Sequence, residues 1–209
     1  MPDDASLIAR PVTVRAKHAA SLIVLRHQNG EPHMLMGMRG AKHRFMPNRL
    51  VFPGGRVDRA DLTASFATPL SAATQQALRK NTNPALARGL AAAAARELVE
   101  ETGLSLGHPP RMDGLHYLAR AVTPPGSPIR FNARFLVVEE RHVSGELGGD
   151  GELEELRFYG MAEALGLQLA APTRRVLERL NWWLALPEAD RLAQTHTPVL
   201  RQDRGWSME

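Results

Sequence analysis

Three glutamates within five residues limit what this chain of 209 residues can fold into more than any other feature. At about 100° per residue, Glu97, Glu100 and Glu101 share one face of a helix, where like charges repel and destabilise it. A divalent cation would relieve that repulsion, because carboxylate oxygens are ligands that Mg²⁺ and Mn²⁺ take. Arg96, one turn before Glu100, can hold a carboxylate in place. The segment therefore predicts a metal site, with a solvated acidic helix end as the alternative.

The helix that carries these glutamates has recognisable end signals. Asn83 followed by Pro84 is typical of a helix N-terminus, and Gly103 is typical of a helix end. The sequence therefore predicts a helix from Asn83 to Thr102, kinked or divided at Gly89. The face opposite the glutamates is small and mostly apolar and can pack against a sheet: Ala91, Ala95, Leu98 and Thr102.

Apolar and alternating runs predict the other elements of the chain. Strands are expected at Ala19–Arg26, Pro32–Arg39, Asn48–Phe52, Leu115–Val122, Ile129–Val138 and Leu153–Tyr159. Helices are expected at Ala72–Arg79, for a short stretch from Met161, and at Pro172–Leu186. Hairpins mixed with separated helices are typical of an α+β or layered α/β domain.

Composition excludes several classes of protein. There are no cysteines, which excludes disulfide scaffolds, thiolate metal sites and cysteine nucleophiles. The apolar runs fall far short of the roughly 18 residues that span a bilayer, and the acidic N-terminus lacks the apolar core of a secretion signal. The formal charge of +4 comes mainly from arginine, without a basic stripe interleaved with aromatic residues. We therefore expect a cytoplasmic protein that binds neither membranes nor nucleic acid.

The acidic helix belongs to a longer pattern. Pro53-Gly54-Gly55 is followed by Asp61 and then by Arg96-Glu97-Leu98-Val99-Glu100-Glu101-Thr102-Gly103-Leu104. This resembles the signature of the Nudix hydrolases, which reads Gly, five residues, Glu, seven residues and Arg-Glu-aliphatic-x-Glu-Glu-x-Gly-aliphatic. The second half matches at every fixed position, whereas Asp61 stands where the family has Glu.

The two halves of this signature lie far apart in the chain. Asp61 and Arg96 are separated by 34 residues where the family pattern has seven, so the insertion is 27 residues long, at about 62–88. Such a loop is tolerable because closure entropy grows slowly with length, but it leaves open whether Asp61 or Asp58 replaces the family's Glu. We expect Leu62–Thr82 to lie outside the core sheet, either partly mobile or forming its own short helix over the active-site mouth. Some Nudix enzymes that act on coenzyme A derivatives carry insertions inside the motif.

The resemblance implies a single domain over residues 1–209 with the Nudix fold. This is an α+β fold, a layered α/β/α sandwich with a mixed sheet between helices. Its core is expected over about 19–160, followed by a C-terminal helical segment over 161–209.

The resemblance also implies the chemistry, which is metal-assisted attack of water on a diphosphate linkage. Mg²⁺ or Mn²⁺ is the implied cofactor, and its ligands would be Glu97, Glu100, Glu101 and the Gly55 carbonyl. Arg96 would orient Glu97 or Glu100. The base that activates water varies within the family, and the candidates here are Glu97, Glu152 and Glu154.

A second resemblance concerns the substrate. Nudix enzymes that cleave coenzyme A or acyl-CoA often show Leu-Leu-Thr-x-Arg-Ser, three residues, Arg, three residues, Gly, three residues and Phe-Pro-Gly-Gly. Residues 35–55 keep this spacing and both arginines, Arg39 and Arg44, with Gly40 and Asn48 in place of the Ser and the Gly. This implies that Arg39 and Arg44 contact substrate phosphates. Otherwise they would lie on a solvated hairpin edge.

The sequence leaves other functions open. The substrate could instead be ADP-ribose, NADH or a nucleoside triphosphate, and Arg56 is a further candidate for substrate binding. A catalytically silent Nudix domain that senses nucleotides or binds a partner is the alternative from a different class, although the intact carboxylate helix argues against it. Trp182 and Trp183 are expected to pack in the core or to form a homodimer contact.

Overall fold

The computed structural model describes residues 14–40, 47–194, 196–201 and 205–209. Its strands are β1 (Lys17–Gln28), β2 (Glu31–Arg39), β3 (Leu50–Val51), β4 (Gly54–Arg56), β5 (His116–Val122), β6 (Phe131–Glu139), β7 (Leu153–Gly160), β8 (Pro198–Arg201) and β9 (Gly205–Met208). Its helices are α1 (Ala72–Arg79), α2 (Pro84–Thr102), α3 (Met161–Gly166), α4 (Ala171–Leu184) and α5 (Glu188–Leu192). The predicted strands and helices are confirmed, although the strand expected at Asn48–Phe52 is reduced to β3.

One mixed sheet with helices on both faces organises the chain. Among the described residues, its strands follow the order β3-β2-β1-β6-β5-β8-β9, with β4 beside β1 and β7 beside β2. The pairs β1–β6 and β5–β8 are parallel, and the other pairs are antiparallel. Helices α1 and α2 cover one face, and α3 and α4 cover the other. The predicted α+β sandwich is therefore confirmed.

Alternation along the central strands supplies both apolar layers. In β1, Leu22 and Val24 pack with α2, whereas Ile23 and Leu25 pack with α4 on the opposite face. The alanine run at residues 91–95 lets α2 lie close to the sheet, and all five side chains are buried. No described helix is both long and apolar enough to cross a membrane.

The inserted segment lies outside the sheet and forms its own short helix, as the sequence predicts, and this helix packs into the core. The segment forms α1, with the bounds predicted from the sequence, and packs against α2 and β5. Leu70 and Leu78 are buried, and the Thr74 hydroxyl donates to the Leu115 carbonyl at 2.8 Å. The segment packs in this way because burying the apolar side chains of α1 away from water stabilises the fold.

The C-terminal segment, predicted as helical over 161–209, also contributes strands. Pro198–Arg201 forms β8, which extends the sheet in parallel beside β5, and β9 pairs with β8. Val199 and Leu200 are buried. This burial explains why the segment forms a strand, because strand formation depends more on packing against neighbouring residues than on local preference.

Helix α2 is continuous from Pro84 to Thr102, so it is not divided at Gly89. The Leu86 N–H donates to the Asn83 side chain at 2.8 Å, and Gly103 ends the helix in the left-handed region with φ 72°. A Cβ on Gly89 would lie 2.8 Å from Leu62 Cδ2 and 3.0 Å from Val57 Cγ1. Gly89 therefore lets the segment after β4 run directly against the helix.

Leu78→Ala should destabilise the fold by about 2–5 kcal/mol, because it truncates a side chain that is 2% exposed and leaves a cavity. Urea unfolding of the purified variant measures this loss. Leu192→Ala is the matched control, since Leu192 is 46% exposed and its truncation should cost little. Wild-type stability of Leu78→Ala would mean that α1 is dispensable to the core.

Candidate functional site

The end of α2 lies against the Pro-Gly-Gly turn because the strand after that turn pairs with β1. Gly55 of β4 is opposite Ala20 in the register. A Cβ on Gly55 would lie 2.0 Å from Oε1 of Glu97, so glycine is required for the turn and the carboxylate to come this close. The two halves of the signature therefore meet in space despite the insertion between them.

Arg96 connects the helix to the turn. Its Nη1 donates to Glu97 Oε1 at 2.8 Å and to Glu100 Oε2 at 3.0 Å, while Nη2 donates to the Arg56 carbonyl at 3.0 Å. Nε and Nη2 also donate to the two oxygens of Asp61, at 3.3 and 3.1 Å. Burial lowers the pKa of Arg96, but hydrogen bonds with Asp61 and Glu97 outweigh burial and raise it. The guanidinium stays charged and holds two of the three glutamates.

Asp61, rather than Asp58, is the main acidic partner of Arg96 from this segment. Asp61 is 5% exposed and accepts the Asp58 N–H at 2.8 Å in addition to its bonds from Arg96. The exposed carboxylate of Asp58 lies 3.9 Å from Arg96. The 3-10 turn at Ala60–Thr63 brings Asp61 inward, so the shorter side chain still reaches the guanidinium.

Glu101 is the most buried of the three glutamates, at 3% exposed. Its Oε2 accepts the Gly54 N–H at 2.7 Å. Burial raises the pKa of Glu101 to about 8; the Gly54 N–H and Arg39 lower it, while Glu97 and Glu152 add to the rise. The fold therefore holds this carboxyl where its ionised form is costly unless a positive charge is nearby.

Glu97 is less buried but is affected by the same surroundings. Burial raises the pKa of Glu97 against the opposing effect of Arg96, and the charges of Glu100 and Glu152 raise it further. Glu152 therefore lies close enough to Glu97 to influence its ionisation. The other predicted base, Glu154, is exposed on β7 opposite Met38.

The loop before Glu152 is attached to the end of α2. The Gly148 N–H donates to the Thr102 carbonyl at 2.8 Å, and the Asp150 N–H donates to the Glu100 carbonyl at 3.3 Å. The Asp150 side chain in turn accepts the Glu152 N–H at 2.9 Å. These bonds satisfy carbonyls that the helix end leaves without intrahelical partners and hold Glu152 beside the acidic helix.

Two of the three arginines predicted to bind substrate are described by the structure, and they lie in different places. Arg39 ends β2 opposite Leu153, and its charge lowers the pKa of Glu101, which places it beside the acidic group. The exposed Arg56 side chain lines a cavity at the start of β1. Arg44 lies outside the described residues.

The chemistry of the acidic group fits a divalent cation. Hard carboxylate oxygens crowd beside a glycine turn, and burial raises the pKa of both Glu97 and Glu101. In the part of the chain that the structure describes, no group of three or more His, Asp or Glu side chains is arranged to hold a metal. Here Glu97 and Glu100 accept hydrogen bonds from Arg96, and Glu101 accepts one from the Gly54 N–H.

Comparisons with known proteins find a matching domain model and similar folds. A family model described as NUDIX domain matches residues 87–180. A NUDIX hydrolase from Alicyclobacillus acidocaldarius has a TM-score of 0.62 and 24% identity, covering 79% of this chain and 90% of its own. The NUDIX domain of Shewanella oneidensis NrtR, complexed with ADP ribose, has a TM-score of 0.54 and 12% identity, with 82% and 90% covered.

A third similar structure is the MutT NUDIX hydrolase from Burkholderia pseudomallei, with a TM-score of 0.52, 18% identity and coverage of 80% of this chain and 99% of its own. Comparison with curated proteins gives no match. The solved structures establish the fold, and the matched domain includes the whole Arg96–Leu104 segment. The chain has the Nudix fold, and a little under half of it matches the Nudix domain model.

Sequence reasoning missed one part of the site, the Gly54 N–H that donates to Glu101. The paired glycines carried a signal for it, since a backbone without side chains can approach a carboxylate closely. The sequence also did not distinguish Asp58 from Asp61. The insertion replaces the seven-residue spacing before Arg96 that would have identified Asp61.

Glu101→Gln should remove a pH dependence from the stability of the metal-free protein. The fold raises the pKa of Glu101 from 4.5 to about 8, so its contribution to stability is greatest below about pH 4.5 and is lost as the pH rises through 8. Gln is uncharged and can still accept the Gly54 N–H, so the variant should lose less stability over that window. Urea unfolding in EDTA at about pH 5 and pH 8 measures the difference.

Glu178→Gln is the control for this experiment, because it removes an exposed carboxylate from α4. Its stability should change with pH as that of the wild type does. If Glu101→Gln shows the wild-type dependence as well, burial of the Glu101 charge is not what the fold opposes.

Proposed function

We propose that the chain is a metal-dependent hydrolase that cleaves the diphosphate linkage of a nucleoside diphosphate derivative. The observation that carries the proposal is the arrangement at the end of α2, where Arg96 holds Glu97 and Glu100 while Glu101 is buried against the glycine turn. Crowding carboxylates in this way costs stability. A module that only binds a partner gains nothing from that cost, whereas a metal-assisted hydrolase requires it.

The proposed ligands of Mg²⁺ or Mn²⁺ are Glu97, Glu100, Glu101 and the Gly55 carbonyl. When bound, the cation would neutralise phosphate oxygens and lower the pKa of the attacking water. Arg96 is a positioning residue in this scheme, because its bonds are to carboxylates and to the Arg56 carbonyl.

Glu152 is the base that the arrangement supports best. Glu97, the other candidate, is already bonded to Arg96 and is a proposed metal ligand. Glu152 is exposed, lies outside the proposed ligand set and is held beside α2 by the loop before it. A base must reach the proton of the attacking water, and a residue at the open edge of the acidic group can do so.

Coenzyme A or acyl-CoA is the substrate that we favour. Support comes from the spacing of Arg39 and Arg44 before the glycine turn and from the influence of Arg39 on Glu101. A guanidinium beside carboxylates that hold a cation can make charge-assisted bonds to the phosphates that the cation also binds.

A substrate panel tests the activity and the specificity together. The purified protein is incubated with Mg²⁺ or Mn²⁺ and coenzyme A, ADP-ribose, NADH or dGTP, and the products are identified by mass. Release of 3′,5′-ADP and 4′-phosphopantetheine would support cleavage of coenzyme A. Cleavage of another compound would correct the substrate, and cleavage of none would favour a nucleotide-sensing or partner-binding module.

Glu101→Gln should lower turnover at least about 100-fold, because it removes a charge that holds the cation but little volume. Steady-state assays on the cleaved compound measure the effect, and circular dichroism checks the fold. Glu178→Gln serves again as the control and should keep wild-type turnover. Near-native turnover of Glu101→Gln at saturating Mg²⁺ would contradict its assignment as a ligand.

Arg39→Ala should raise KM for coenzyme A about tenfold, or about 1.4 kcal/mol, the scale of a charged hydrogen bond. A phosphate contact made in both the ground state and the transition state changes KM more than kcat. Arg175→Ala, an exposed position on α4, is the matched control. A smaller increase in KM with dephospho-coenzyme A would identify the 3′-phosphate as the group that Arg39 binds. An unchanged KM would mean that Arg39 only lies on a solvated hairpin edge and does not contact the substrate.

A further inference from the structure

A second region of the molecule has the features of a ligand site. A cavity of about 510 Å³ opens between the start of β1, the segment after β4 and the first turn of α2. This volume is within the range of small-molecule sites in proteins. None of the three glutamates at the end of α2 is among the described residues that line it.

The walls of this cavity are strongly basic. Arg15 and Lys17 line it from the start of β1, and Arg56 and Arg59 line it from the segment after β4. Asp58 is the acidic side chain among the described lining residues. Four cations and one carboxylate leave a net positive charge, and guanidinium groups in a concave surface are suited to phosphate.

A buried arginine next to one of the lining residues adds to the positive charge near the cavity. His18 also lines the cavity, and its Nδ1 lies 3.0 Å from Nη1 of Arg134, which is 1% exposed. Burial lowers the pKa of Arg134 to about 10, despite the opposing effect of Tyr117, so the group stays charged at neutral pH. Its Nη2 has no hydrogen-bond partner among the described residues. An anion above His18 would offset this buried charge.

The lining of the cavity also includes apolar side chains. Val57, Leu62 and Leu86 line it, and each is only partly buried. An inorganic anion would leave these side chains in contact with water, whereas a ligand with an apolar group beside its phosphate would cover them.

We propose that this cavity binds a phosphate monoester with an apolar organic group, the phosphate contacting Arg15, Lys17 and Arg59 and the organic group contacting Val57, Leu62 and Leu86. One edge of the cavity adjoins the acidic end of α2, since the Arg56 carbonyl accepts from Arg96 and Asp58 lies 3.9 Å from Arg96. The other edge is farther away, because Leu86 and Glu97 are eleven residues apart on one helix, about 16 Å along its axis. The proposal does not depend on the hydrolase activity.

The test measures binding of phenyl phosphate to the full chain in EDTA, by calorimetry and by amide chemical shifts. Without a cation, the carboxylates at the end of α2 repel phosphate, so saturable binding reports the basic cavity. The double variant Arg15→Ala/Arg59→Ala should weaken binding at least about tenfold. Arg174→Ala/Arg175→Ala removes the same charge from α4, on the other face of the sheet, and should bind as the wild type does.

Two further results decide the proposal. Inorganic phosphate should bind at least about fivefold more weakly than phenyl phosphate. The amides that shift should be those of lining residues without a contact to Arg96, namely residues 15–18, 59, 62 and 86. Equal weakening in both double variants, an unchanged affinity in Arg15→Ala/Arg59→Ala, or shifts centred on residues 97–101 would overturn the site. Equal affinity for the two probes would overturn the role of the apolar side chains. Loss of hydrolytic activity bears on none of these readouts, since no turnover is measured.

Discussion

The guanidinium of Arg96 is the contact on which the arrangement of the site depends. It is bonded at once to Glu97 and Glu100 on its own helix, to the backbone of the glycine turn and to Asp61 at the edge of the inserted segment. One planar group therefore joins the end of α2 to residues that lie 35 to 40 positions earlier in the chain. Its fixed directions for hydrogen bonds make it hard to replace with lysine.

The acidic end of α2 is stable only because the rest of that helix compensates for it. The glutamates repel one another, and the burial of Glu101 adds to the cost. The same helix buries its alanine run, Leu90 and Leu98 against the sheet, and apolar burial of this extent outweighs an unfavourable local charge. Such an unfavourable local arrangement of charges is characteristic of sites that serve function more than stability.

The sequence allowed the prediction of α2 and its ends, the main strands and the Nudix fold, because each depends on local signals. Asn83, Gly103 and the run from Arg96 to Leu104 are such signals. Burial of α1 and of β8 was not predicted, since it depends on surfaces supplied by distant residues. The bond from Gly54 to Glu101 and the choice of Asp61 were also not predictable, because a hydrogen-bond partner depends on tertiary position.

The bonds between the loop at residues 145–151 and the last turn of α2 have a dynamic consequence. Helix ends fray, and here fraying would release the carbonyls of Glu100 and Thr102 from Asp150 and Gly148. The loop and the last turn are therefore expected to open as one cooperative unit, as neighbouring segments often do in native proteins. Glu101 and Glu152 would then leave or regain their places together, so that a half-assembled acidic group is rarely populated.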